Sequence, residues 1–213
     1  MTFKRKGTKL SEETPEESKD KKQQEDPNSM QAMMQAHEQM RCISLYGDVD
    51  EETAAETVAG FLTLNHMRTG ETPEENAIEL VISTYGGCSD DMFSIYDVMS
   101  MVKRNNVIRT VGIGKVMSAG VLLLAAGTKG ERYIGRNCRV MLHAVSAGHH
   151  GMLHNLENEL EEVRKLQDLY IENLISVTNL TKRQIKTFLR KKSNIYFSAE
   201  DAIKHGIADK ILE

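Results

Sequence analysis

The sequence predicts an α/β fold, a largely parallel sheet joined by crossover helices, and three observations carry that prediction. Runs of period two at 41–46, 77–83 and 107–113 alternate with segments whose apolar residues recur every three or four positions. Glycine closes the runs, as Gly47, as Gly86-Gly87 and as Gly112 with Gly114. The length, 213 residues, suits one domain with a tail. Strand, helix, strand, helix in this rhythm means crossover units on parallel strands. Ligands of such sheets collect beyond the carboxyl ends of the strands, where Gly86-Gly87 and Ser118 would be neighbours.

Residues 1–29 hold lysine, glutamate, glutamine and serine in quantity, with Met1, Phe3 and Leu10 as the sizeable apolar groups. Such a segment buries too little surface to offset its ordering entropy and is expected to be a disordered charged tail, followed by one folded domain over 30–213. MQAMMQAHEQM at 30–40 is rich in helix formers and reads as a short docking helix, with a methionine-rich binding surface as the other reading. RCISLY at 41–46 reads as a strand ended by Gly47. Ala54, Val58, Phe61 and Leu62 then mark one face of a helix. A strand over 77–83 leads through a Tyr85-Gly86-Gly87 turn into a helix faced by Met92, Ile95, Tyr96, Met99 and Val102.

After a β-branched strand over 107–113, the segment opened by Ser118 is apolar on every side and reads as a buried helix. A serine at its first turn has two explanations. It is an N-cap, whose oxygen accepts from N–H groups two or three residues on. Or it is a nucleophile, set where unpaired N–H groups and the positive helix end stabilise developing negative charge. The nucleophile elbow G-x-S-x-G fails here because Val116 stands at its first glycine, and no phosphate loop or dinucleotide fingerprint fits either.

A short strand pair around 132–134 and 139–142 delivers His143 at a strand end, where histidine is structural or catalytic. AVSAGHHG reads as a loop, and 152–177 as a helix with Leu156, Leu160, Val163, Leu166, Tyr170 and Leu174 in a narrow seam, roughly 39 Å long at ~1.5 Å per residue. Such a seam suits a subunit contact as well as an amphipathic helix lying on its own sheet. His149, His150 and His154 lack a carboxylate or cysteine at ligand spacing, so no metal is expected. A short helix over 181–189 opened by Thr181, a strand at 195–197, and a helix capped by Ser198 and closed by Gly206 complete the chain.

The net charge of −4 gives no electrostatic footprint for nucleic acid. Cys42, Cys88 and Cys138 are too few and too widely spaced for a disulfide framework, which suits a reducing compartment. Neither a signal-like apolar segment nor a run of ~18 apolar residues occurs, so a soluble cytoplasmic protein without a membrane anchor is expected.

Several stretches carry a specific resemblance: GDVD at 47–50, STYGGCSDDMFSIYDVM at 83–99, GKVMSAGVLLLAAGTKGERY at 114–133, NCRVMLHA at 137–144 and FSAEDAIKHGIADKIL at 197–212. In these the sequence resembles the proteolytic subunit of the Clp protease, a serine peptidase of the crotonase-like fold built from repeated β-β-α units. The resemblance implies Ser118 as nucleophile, His143 as general base, and the Gly87 and Ala119 N–H groups as the oxyanion hole. It implies an extended peptide laid along Gly86 and Gly87, with no cofactor. The helix 152–177 falls on the family's protruding handle, which joins two stacked heptameric rings into a chamber.

The chain departs from the family pattern at identifiable positions. Asn194 stands where the family has its triad aspartate, and Ser193 where it has a basic residue used between rings. Tyr85 replaces the proline of the glycine turn. Glu79 and Val81 replace aromatic positions of the apolar cleft that docks the AAA+ unfoldase, so docking of such a partner is expected to be weakened. The function implied is a ClpP-like serine endopeptidase that cleaves unfolded chains or peptides inside a homo-oligomeric chamber. Asn194 and Ser193 point instead to a catalytically weak structural or regulatory ring subunit. Glu79 points to a processing peptidase, of viral capsids for example, that works without an ATPase.

Overall fold

The computed structural model describes residues 40–148, 150–190 and 194–212. The tail over 1–29, most of the docking helix at 30–40, His149 and Ser193 lie outside the described residues. Among the described residues, thirteen elements follow in order: β1 (Cys42–Val49), α1 (Glu51–His66), β2 (Ile78–Gly87), α2 (Ser89–Val102), β3 (Ile108–Met117), α3 (Ala119–Ala125), β4 (Arg132–Gly135), β5 (Arg139–Leu142), α4 (Leu153–Val177), α5 (Lys182–Arg190), β6 (Ile195–Phe197), α6 (Ala199–Lys204) and β7 (Lys210–Leu212). The strands form one mixed, largely parallel sheet in the order β1-β2-β3-β4-β7, with β5 also on β3 and β6 antiparallel to β5. This is the crotonase-like α/β fold with crossover helices.

The sequence places these elements by ordinary local rules. Asp50 opens α1 by accepting from the Thr53 N–H at 2.9 Å, with Glu51 and Glu52 in the first turn. Ser198 opens α6 in a reciprocal capping box with Asp201. The core-facing residues of α2 are Met92, Ile95, Met99 and Val102, with Tyr96 half-buried. In α1 the buried positions are Ala54, Thr57 and Phe61, while Leu62, expected on that face, is exposed. One helical position of rotation moves Leu62 out and brings in Thr57, whose hydroxyl bonds the Thr53 carbonyl at 2.7 Å.

The glycines do not end the strands where the sequence suggested. β1 runs through Gly47 with a register shift at Gly47/Asp48, and β2 continues through Tyr85-Gly86-Gly87. β3 continues past Gly112 and Gly114 to Met117. The reason lies in the pairing. β3 pairs with β4 over Thr110–Gly112 and then with β5 over Lys115–Met117, and Gly114 takes φ +62° at the changeover. An L side chain there would be strained, so glycine lets one strand serve two partners. The two short strands read as a pair are therefore not paired with each other: both pair with β3.

Two consequences bear on the site. All seven residues of α3 are buried, and the helix packs against β2, β3, α2 and α4. In α4 the seam divides. Tyr170, Ile171 and Leu174 are buried, whereas Leu153 and Leu160 are 72% and 51% exposed, so the first half of the helix carries its apolar seam away from the core of its own chain. Arg132, on β4, ties the far end together. Its side chain is 3% exposed and pairs with both Asp209 oxygens, at 2.7 and 2.6 Å, while also donating to the Ala125 and Val177 carbonyls.

Candidate active site

Ser118 sits between the last residue of β3 and the first of α3, with φ +52° and ψ −118°. It is the one non-glycine residue with positive φ among the described residues. Such a conformation costs about 1–3 kcal/mol and persists only where surrounding contacts hold it. The holding contacts are visible. The Ser118 N–H donates to the Met141 carbonyl at 2.9 Å, and its own carbonyl accepts from Val121 N–H at 3.0 Å and from the Tyr170 hydroxyl at 2.8 Å.

The hydroxyl of Ser118 makes no capping hydrogen bond. The N-cap explanation of this serine therefore fails: its φ and ψ lie outside the extended region that a capping residue adopts, and its hydroxyl accepts from no helix amide. The geometry is a strand-turn-helix elbow without the full motif. Gly120 fills the second glycine position, where a Cβ would meet the Thr84 side chain at 2.4 Å. The clearance that the missing first glycine would give comes from the neighbouring strand. A Cβ on Gly86, at φ +99°, would lie 2.5 Å from the Ser118 Cβ and 2.9 Å from the Met117 carbonyl oxygen. On Gly87 it would lie 2.0 Å from the Val49 carbonyl oxygen. Gly86 is thus required by packing against the serine, and Gly87 by packing against β1.

A cavity of about 60 Å³ opens here, with Gly87, Ser118, Ala119 and His143 in its wall and Met92, Val145 and Tyr170 as its apolar and aromatic lining. Ala119 is the first residue of α3, so its N–H has no partner within the helix. β5 carries His143 to this cavity as the residue after Leu142. The imidazole is half-buried, and its Nδ1 lies 2.6 Å from the Ala144 carbonyl oxygen. A carbonyl oxygen only accepts, so Nδ1 carries the proton and Nε2 is left as the basic nitrogen. Tyr170 came from the sequence only as one apolar seam position. Burial pushes its phenol pKa up, so it remains a neutral donor.

The family model for the Clp protease matches residues 23–213. The chain belongs to the Clp protease family. It is accordingly a ClpP-like peptidase chain, and the positions where it departs from the family pattern can be placed in the fold.

Asn194 precedes β6, whose antiparallel register pairs Leu142 with Ile195. Continued by one residue, that register sets Asn194 across from His143. Asn194 is exposed, however, and the imidazole Nδ1 is bonded to Ala144 instead. Tyr85, in the glycine turn of this Clp protease chain, is 63% exposed and lies under Lys115, whose Nζ is 4.4 Å from the ring centroid. Glu79 lines a separate surface groove of about 360 Å³ with Arg109, Val111, Tyr133 and Leu212. Arg109 there pairs with Glu131 at 2.9 Å and stands 5.7 Å from the Tyr133 ring centroid. Lys210 reaches the same ring and hydroxyl, so the groove has a charged margin. His150 and His154 are exposed, in the loop and on α4.

Among the described residues, no helix is long and apolar enough to cross a membrane.

Proposed function

We propose that the chain is a serine endopeptidase that cleaves extended polypeptide inside a chamber formed by copies of itself. The observation that carries this reading is Ser118: a strained, uncapped serine that shares a cavity with an imidazole whose Nδ1 is already bonded. In the proposed reaction Oγ attacks the scissile carbonyl and His143 Nε2 takes its proton, then returns it to the leaving amine. The Gly87 and Ala119 N–H groups receive the oxyanion. Peptide backbone lies along Gly86 and Gly87 as an added strand, and the small cavity takes one side chain. A fluorophosphonate probe, with mass mapping of the labelled residue, tests the assignment. Label on Ser118 supports it, and label on another serine overturns it.

Asn194 is proposed as the third member of the site, acting without the charge of an aspartate. Elsewhere, asparagine in place of the triad aspartate lowers turnover by about 10⁴, because the imidazole adopts the wrong tautomer. Here the Ala144 carbonyl already holds the correct tautomer, so an aspartate would add chiefly its charge. Asn194→Asp is therefore expected to raise turnover by about 10- to 100-fold, read as kcat on a fluorogenic peptide. If neither Asn194→Asp nor Asn194→Ala changes the rate, Asn194 has no part in the site. The exposure of Asn194 also favours a second reading, a slow ring subunit that works beside a more active one.

The exposed half of the α4 seam supports assembly of facing rings, for which two heptamers are the family's arrangement. The charged groove containing Glu79 and Arg109 disfavours docking of an unfoldase loop, since charged groups are costly to take out of water. Light scattering should therefore show particles far above the 24.0 kDa chain, unchanged in size when a Clp unfoldase and ATP are added. A monomer at all concentrations overturns the first expectation, and growth to a larger complex overturns the second. The free thiols of Cys42, Cys88 and Cys138 are consistent with a cytoplasmic setting.

A further inference from the structure

We propose that Tyr170 is a positioning residue that holds the main chain of Ser118 in its left-handed conformation and so keeps Oγ turned into the cavity. Its catalytic consequence rests on the reading of Ser118 as nucleophile.

Three hydrogen bonds fix the two peptide groups of Ser118, and they differ in kind. The bonds to Met141 and Val121 are main-chain bonds, extending the β5 ladder and closing the first turn of α3. The third comes from a side chain on a different element. The Tyr170 hydroxyl, at the buried end of α4, donates to the Ser118 carbonyl at 2.8 Å. Tyr170 is 6% exposed, and its ring also forms part of the cavity wall. A packed leucine or phenylalanine would satisfy the apolar seam equally well, so the seam gives no reason for a phenol at this position. The Ser118 carbonyl does. The strain at φ +52° and one buried neutral hydrogen bond are of similar size. Loss of that bond brings a relaxed main chain to a comparable population, and the relaxed form points Oγ elsewhere.

The test is Tyr170→Phe in the full-length protein, which keeps the ring in the cavity wall and removes the donor. The expected result is a fall of about three- to tenfold in kcat and in the rate of fluorophosphonate labelling at Ser118. KM should stay within about twofold, because the cavity wall is intact. Particle size should be unchanged. The crystal structure of Tyr170→Phe should show a second main-chain conformer at Ser118. Unchanged kcat and labelling, or a rise in KM alone, would make Tyr170 a cavity-wall residue and overturn the proposal. If the wild-type protein takes no label at Ser118, the peptidase reading fails. The crystal structure still decides the positioning role, and a single unaltered Ser118 conformer refutes it.

Discussion

Ser118→Ala is expected to abolish peptide cleavage, with a loss of at least about 10³-fold, or roughly 4 kcal/mol of barrier, and to remove labelling by a fluorophosphonate. The same substitution should leave folding nearly unchanged, since alanine tolerates φ +52° no better than serine and the hydroxyl makes no capping bond. Ser118→Gly supplies the contrast. Glycine adopts this conformation without strain, so it should be equally inactive yet more stable than Ser118→Ala by about 1 kcal/mol in urea denaturation. A stability gain on loss of activity is the signature of strain held at a functional site. Cleavage by Ser118→Ala at the wild-type rate would remove the nucleophile assignment. Equal stability of the glycine and alanine variants would remove the strain argument.

The largest effect on stability is expected at Arg132. Its guanidinium is almost fully enclosed, pairs with both oxygens of Asp209 and bonds the carbonyls that end α3 and α4. Arg132→Ala leaves the partly buried Asp209 without its counter-ion and those carbonyls without a donor, at a cost of about 3–5 kcal/mol. The pair also makes stability depend on acid. Burial alone would raise the Asp209 pKa, but hydrogen bonds from Arg132 and the Gly130 N–H outweigh it and hold the carboxyl below its ordinary value. A depressed carboxyl contributes fully above its unfolded pKa, about 3.9, and loses that contribution as pH falls through the lower folded value. Urea midpoints at fixed protein concentration should therefore separate wild type from Asp209→Asn near neutrality and converge below about pH 4. A gap that persists undiminished into acid would show that the charge of Asp209 is not what stabilises the pair.

The sequence by itself determined the order of elements and which residues gather around Ser118. Period-two runs, three-and-four seams and the caps at Asp50 and Ser198 are local properties, legible because backbone sterics and side-chain hydrogen bonds act within a few residues. It also placed Gly86-Gly87 near Ser118, because parallel crossovers bring successive strand ends to one edge. What it could not give was the state of each group at that edge. Gly114 looked like a strand end and proved to be the point where β3 changes partner, a fact that depends on β4 and β5. Serine before a buried helix is consistent with a cap or a nucleophile. Only the torsions held by the bonds to Met141, Val121 and Tyr170 take it out of the capping conformation. Tyr170 looked like one more seam residue, since a 3.6-residue period tells which face a side chain occupies and nothing of what its hydroxyl meets 52 positions away. The imidazole's bond to Ala144 was likewise invisible, because a main-chain carbonyl leaves no mark on residue type. Local chemistry fixed the order and type of the elements, and long-range packing decided where the strands end and which residues line the cavity.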